Sequence, residues 1–350
     1  MNKQLAEKNI KIELAEDWCS EEVDRHNYDL LEAIEKDDYK GMKVLVFQPI
    51  AIGDVMVSSL CAELFQIKFP GCTVDYFTEF NANFHAIRNN PFINKVIVDK
   101  DWELFRQRNS HADGVLKKQY DLAYSLYWWT KPNLISSFME DLELPTEYTR
   151  LKLYRNFEYE EEIHKKYPKT GFRIAVQDQN DLKAKWDNGY EKLIEGLKKL
   201  GEVIFVGPSL EQPYDYTIEV LRQSDIFVGA HGSLDHAAAA VGCQSISLST
   251  IYDPNWVTPQ SYQNKYVPDY RPHISVRPLD WCKDYHCIDY CNKTKSFEHP
   301  PYGFSSEPKC APHKIYKCNY KNFEKSCIHE ITAEYWLKVI EEAIEERNKR

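Results

Sequence analysis

The feature that most constrains this chain is a doubled alternation of short apolar runs with amphipathic stretches. Residues 43–47 read KVLVF, which is apolar without interruption after its first residue. A run this short and continuous marks a strand buried on both faces, as in parallel sheets. QPIAIGD follows, then VMVSSLCAELFQIKF, where Val55, Leu60, Leu64 and Ile67 recur at helical spacing until Pro70-Gly71 ends it. CTVDYFT (72–78) and KVIVD (95–99) read as further strands, with a turn at Asn90-Pro91 between them. Residues 101–118 read as helix and DLAYSLYW (121–128) as a fourth strand. The pattern then breaks at a charged stretch ending EYEEEIHKKYPKTG and begins again. FRIAV (172–176), EVIFVG (202–207), DIFVGA (225–230) and QSISLS (244–249) are strands. Between them lie a helix ending at Gly201, a short helix at TIEVLRQS and a helix at SLDHAAAAVG ending at Gly242. Strand and helix in strict alternation predict an α/β fold of parallel sheets with right-handed crossovers. Ligands of such sheets sit beyond the carboxyl ends of the strands.

Four segments follow from this pattern. Residues 1–41 carry 12 acidic and 6 basic side chains and read as a helical extension, either solvated or an oligomer contact. Residues 42–165 and 166–330 are the two α/β domains, joined by the charged stretch. Text after Ser249 is irregular and rich in Pro, Tyr, Trp and Cys, and belongs to the second domain. Residues 331–350 form a last helix from Thr332, with Trp336, Val339, Ile340, Ala343 and Ile344 on one face that docks on a domain.

Composition excludes several roles. The 350 residues carry a formal charge of −10, and the Lys and Arg are dispersed, so a nucleic-acid partner is not expected. No stretch approaches the roughly 18 apolar residues of a membrane helix. The polar N-terminus lacks the apolar core of a signal peptide, which implies a cytoplasmic protein. Its ten cysteines therefore need not pair. Walker, G-x-G-x-x-G and G-x-S-x-G motifs are absent from the sequence.

Five places have residues suited to chemistry. Asp54 follows the first strand at the start of a helix, where it is either an N-cap or a general base facing a ligand. GAHGSLDHAAAAVG (229–242) joins a strand to a small-residue helix through Gly232, and unpaired N–H groups there attract phosphate. His231, Ser233 and His236 flank that turn, with capping or core packing as the plainer roles for the histidines. Lys183 and Lys185 lie on the loop after FRIAV, either solvated or neutralising a diphosphate. Tyr127, Trp128 and Trp129 follow the fourth strand and either pack in the core or stack on a sugar. Near the end, Cys310, His313, Cys318 and Cys327 have the ligand types of a structural zinc or iron site, or are reduced thiols in an irregular tail.

These segments carry a resemblance. KVLVFQPIAIGDVMVSSLCAELFQIKFPGCTVDYFTE resembles the opening of glycosyltransferase family 9, the ADP-heptose:lipopolysaccharide heptosyltransferases. SDIFVGAHGSLDHAAAAVGCQSISLST resembles that family's donor-site block, and DPNWVTP and CAPHKIYKCNYKNFEKSCIHEI resemble its late segments. The likeness spans about residues 42–345. It implies a GT-B fold, two Rossmann-like domains facing across a cleft. It also implies inverting, metal-independent transfer from a nucleotide-diphospho-sugar such as ADP-heptose to a glycan or lipopolysaccharide-type acceptor, with peripheral membrane contact and no cofactor in the chemistry.

By position, Asp54 matches the family's catalytic aspartate. Gly232, Ser233 and His236 fall in the donor-diphosphate turn, and Lys185 or Lys183 approximates a basic residue near the donor. The acceptor side would include Gly53, Trp128 and Trp129. Cys310, His313, Cys318 and Cys327 parallel a four-cysteine pattern, with His313 in place of the second Cys. Where the family has Asp-Ser-Gly or Asp-Thr-Gly, this chain has His231-Gly232-Ser233. That difference keeps two alternatives open, a UDP- or GDP-sugar transferase and a non-catalytic nucleotide-sugar-binding scaffold.

Overall fold

The computed structural model describes residues 39–48, 52–98, 120–125, 151–179, 182, 186, 189–207, 210–248, 273–276 and 331–349. The chain divides into two compact units, residues 1–156 with 213–215, and residues 157–212 with 216–350.

In the first unit, β1 (Lys43–Phe47), β2 (Thr73–Thr78), β3 (Lys95–Val98) and β4 (Leu122–Ser125) form a parallel sheet of order β3-β2-β1-β4. Val44 to Phe47 are all buried, as a strand covered on both faces requires. Leu45, Phe47, Phe77 and Tyr120 cluster on one face, with the rings of Phe47 and Phe77 stacked at 5.1 Å. The helical stretch after β1 is two helices, α1 (Ile52–Ser58) and α2 (Leu60–Lys68), not one. The interruption has a local cause. The Ser58 hydroxyl donates to the Val55 carbonyl at 3.1 Å and the Ser59 hydroxyl to the Met56 carbonyl at 2.7 Å. Both compete with the backbone ladder. A further helix, α3 (Asn81–Ile87), precedes the Asn90-Pro91 turn, where no apolar periodicity announces it.

The stretch read as a charged junction contains α4 (Phe157–Lys166), with acids in its first turn and His164, Lys165 and Lys166 in its last. That charge order suits the helix dipole, and only Ile163 is buried, so the helix has almost no apolar stripe to read.

The second unit holds β5 (Arg173–Gln177), β6 (Glu202–Val206), β7 (Ile226–Ala230), β8 (Gln244–Leu248) and β9 (Ile274–Val276) in the parallel order β6-β5-β7-β8-β9. The strand β9 lies in text that reads as irregular. Three residues are too few to show a period, and pairing with β8 creates it. α5 (Tyr190–Leu200), α6 (Tyr214–Arg222) and α7 (Ser233–Ala240) connect the strands, although the first residues of α6 pack with the first unit. α5 ends at Gly201, where a Cβ would lie 2.5 Å from the Phe172 carbonyl oxygen.

The final helix, α8 (Ala333–Asn348), is capped by Thr332, whose hydroxyl accepts from the Tyr335 N–H. Its buried Trp336, Ile340 and Ala343 join the core formed by α5 and the β5-β7-β8 face. Trp336 meets Trp186 edge-on at 4.9 Å, and the Trp186 ring N–H donates to the Ile331 carbonyl at 2.9 Å. At its other end Arg347 donates to the Asp225 carbonyl at 2.7 Å and to the Asp225 carboxylate. Asp225 also accepts from the backbone N–H of Arg173, a fully buried side chain that itself donates to Glu202 at 2.8 Å.

Removal of a fully buried indole leaves a cavity, so Trp336→Ala should lower unfolding free energy by about 3–5 kcal/mol. Urea unfolding read by far-UV circular dichroism measures it, and a loss under about 1 kcal/mol would show that α8 is not part of this core.

Candidate functional site

Sheet order decides where ligands bind. In each sheet, the order reverses direction where two loops leave to opposite sides, and the crevice beyond the carboxyl ends opens there. In the first unit the reversal lies at β1, beside β4. The loop leaving β1 leads directly to Asp54. In the second unit it lies between β5 and β7. The loops leaving those two strands carry Lys183 and Lys185, and the His231-Gly232-Ser233 turn.

Asp54 stands in the first turn of α1, after Gly53 and at its third residue, not at an N-cap position. Among the described residues its carboxylate makes no hydrogen bond or ion pair. Behind it, Val55, Met56 and Val57 are fully buried. The hydroxyl pair of Ser58 and Tyr76 is also buried, with the Tyr76 hydroxyl donating to the Val55 carbonyl at 3.2 Å. Burial without a compensating charge pushes the Asp54 carboxyl up to about 7. The capping role suggested by the sequence is therefore absent. A partly buried carboxyl that exchanges its proton near neutral pH has the property of a general base.

The turn after β7 is built by close approach. A Cβ on Gly229 would lie 2.5 Å from the Phe227 ring and 3.0 Å from Gln177 Cβ, so only glycine fits. Gln177, the last residue of β5, accepts from the Ala230 N–H at 2.7 Å, and the His231 N–H continues the ladder to Leu248 at 2.8 Å. Gly232 caps α7 and Ser233 opens it.

Asp235 organises this turn. It is fully buried, accepts from the Gly232 N–H at 3.2 Å, and lies 2.9 Å from His231 Nδ1. The Ser247 hydroxyl donates to it at 3.2 Å, and His273 Nε2 lies 3.5 Å from that hydroxyl and 3.1 Å from Ser275. Burial alone would raise the Asp235 carboxyl, but the imidazoles of His231, His236 and His273 together outweigh it and hold the group well below the carboxylate range. His236 lies behind, 6% exposed, with its ring 5.7 Å from that of His231. Burial pushes its imidazole down to about 4, so it is neutral at pH 7. Sequence reading names His231, Gly232, Ser233 and His236 but omits Asp235. The signal was the N-cap to N3 spacing from Gly232, which places an acid where it can accept the cap N–H.

The structure thus brings the four turn residues together around Asp235. Lys183, Lys185, Trp128, Trp129, Cys310, His313, Cys318 and Cys327 lie outside the described residues. Among the described residues, Cys61, Cys72 and Cys243 are buried and reduced, and no helix is long and apolar enough to cross a membrane.

No family model matches the sequence, and no curated protein matches it. Solved structures do match. A glycosyl transferase of family 9 from Veillonella parvula aligns over 88% of this chain and 98% of its own, with a TM-score of 0.57 and 14% identity. The E. coli ADP-heptose lipopolysaccharide heptosyltransferase II covers 88% of this chain and 100% of its own, with a TM-score of 0.53 at 14% identity. The dodecameric, iron-containing heptosyltransferase TibC, solved with ADP-D-β-D-heptose, covers 88% of this chain and 78% of its own at 0.56 and 17%. The α/β fold of parallel sheets is therefore shared with glycosyltransferases and heptosyltransferases of family 9.

The raised Asp54 carboxyl has a measurable sign. The folded state holds its proton at pH values where the unfolded chain has released it, so this group stabilises the fold at low pH. That contribution is lost as pH rises from about 4 through about 7. Asp54→Asn should therefore stabilise the protein at pH 8 by up to about 4 kcal/mol, and by almost nothing at pH 4. Urea midpoints at the two pH values test this, and an equal effect at both would remove the raised carboxyl.

Proposed function

We propose that this chain is a glycosyltransferase that moves a sugar from a nucleotide-diphospho-sugar to a glycan acceptor with inversion. The observation that carries the reading is the buried Asp54, without a hydrogen bond or ion pair among the described residues, at the reversal point of a sheet whose fold is shared with glycosyltransferases. In this reading the first unit serves the acceptor, with Gly53, Trp128 and Trp129 near the incoming sugar. The second serves the donor, with the diphosphate at the His231-Gly232-Ser233 turn, near His236, and neutralised by Lys185 or Lys183. The shared fold and the ADP-D-β-D-heptose bound by TibC support a donor of the ADP-heptose type. The acceptor is a lipopolysaccharide-type intermediate met in the cytoplasm, with peripheral contact to a membrane.

The step balances without a metal. The Asp54 carboxylate takes the proton of the acceptor hydroxyl as that oxygen attacks the anomeric carbon in line. The bond from that carbon to the diphosphate oxygen breaks, and the nucleoside diphosphate leaves with its electron pair. The N–H groups of the first turn of α7 stabilise the charge that develops. A zinc or iron ion held by Cys310, His313, Cys318 and Cys327 would support folding and take no part in transfer. TibC is both iron-containing and dodecameric, which supports a structural metal and an oligomer for this chain too.

The imidazole in the donor turn favours a second reading, a UDP- or GDP-sugar donor, or a scaffold that binds a nucleotide sugar without turnover. Calorimetric titration with ADP, UDP, GDP and CMP separates them. ADP alone should bind; UDP or GDP alone would replace the donor, and binding without transfer would leave the scaffold.

Asp54→Asn should keep nucleotide binding and lose at least about 100-fold in transfer rate. Only the carboxylate can accept a proton, so the wild-type rate should rise as pH increases through about 7 and then level. Full transfer by Asp54→Asn would remove Asp54 as the base.

A further inference from the structure

We propose that His231, Asp235 and His236 form a binding site for a divalent first-row transition-metal ion. Each offers one ligand atom, and the three atoms lie within 4.8 Å of one another. A first-row ion with bonds of about 2.0–2.2 Å needs tetrahedral ligand atoms about 3.4 Å apart. His231 Nδ1 and Asp235 are already 2.9 Å apart, and His231 is the least enclosed of the three, its side chain 19% exposed.

Placement and chemistry agree with this. The three residues stand at positions i, i+4 and i+5 across the turn from β7 into α7, so one backbone element presents all three. Two imidazoles and one carboxylate suit zinc, iron(II), cobalt(II) or nickel(II), where magnesium and calcium prefer oxygen alone. Asp235 is held in place by the Gly232 N–H and the Ser247 hydroxyl, the outer hydrogen bonding that a ligating carboxylate requires. The field of the first helical turn opposes a cation with about half a unit charge, which the Asp235 carboxylate within that turn offsets.

Binding is an exchange. His231 Nδ1 and an Asp235 carboxylate oxygen lie 2.9 Å apart, and because an ionised carboxylate only accepts, the imidazole N–H is the donor of that bond. The ion takes that proton's place, the N–H bond breaks, and the proton passes to solvent. The site stands without the nucleotide reading above, and the proposed transfer does not need it. If that reading holds, the ion adds positive charge where the diphosphate lies and changes donor affinity.

The test uses the full chain, stripped by chelator, free of nucleotide, and titrated with cobalt(II). Cys282, Cys287, Cys291, Cys310, Cys318 and Cys327 are replaced by Ser, so that the thiolates clustered after residue 280 cannot contribute. This protein should retain about one equivalent of cobalt, with ligand-field absorption and no thiolate charge-transfer band. His231→Gln and His236→Gln should each weaken binding at least about tenfold, with circular dichroism unchanged. Absence of retained cobalt, or affinity unchanged in both histidine variants, would overturn the site. Should the serine variant not fold, the ligand-field bands of the wild-type chain against H231Q decide the same question. Nucleotide titration in excess chelator is read separately. Cobalt binding without nucleotide binding would sink the donor reading and leave this one.

Discussion

Strands covered on both faces have nowhere along their length to meet a ligand. Val44 to Phe47 in the first sheet, and all of β5, β7 and β8 in the second, are buried on either side. Water and solutes reach such a sheet only at its ends, and parallel strands present all their carboxyl ends together. Chemistry is therefore forced into the loops that leave those ends, and the strand order chooses which loops diverge to make room. Both turns discussed above sit at those divergences, and the rest of each unit holds the strands in register. The Trp186–Trp336 contact, the buried Arg173 and the Arg347–Asp225 bonds all serve this purpose in the second unit.

Two aspartates show how the same residue type is given opposite character. Asp54 and Asp235 each sit in the first turn of a helix following a strand, and both lose water contact. Asp54 gains no donor among the described residues, so its carboxyl retains a proton to about pH 7. Asp235 gains a backbone N–H, a serine hydroxyl and the His231 ring, so it stays ionised although more deeply buried. Helix position is nearly the same for both, and hydrogen-bonding partners decide the outcome. One group is thereby suited to accept a proton, the other to fix neighbours in place.

Most strands were legible because buried parallel strands are continuous apolar runs, and Val44–Phe47, Ile226–Ala230 and Gln244–Leu248 fall within a residue or two of their sequence readings. The elements that escaped had weak local signals. α3 lacks an apolar period, α4 buries one side chain, and β9 is three residues long. The split between α1 and α2 depends on two serine hydroxyls choosing backbone carbonyls, which composition does not reveal.

The order of residues by itself determined the parallel α/β class and singled out Asp54 and the His231 turn, because strand periodicity and strand-to-helix junctions are local properties. It also made Thr332 a helix start and gave the last helix its apolar face. Tertiary structure alone decided that Asp54 makes no hydrogen bond or ion pair among the described residues, that Asp235 is the centre of the turn after β7, and that Ser247 reaches it from twelve residues away. Protonation and hydrogen bonding depend on what packs around a group, and those neighbours come from strands distant in the chain.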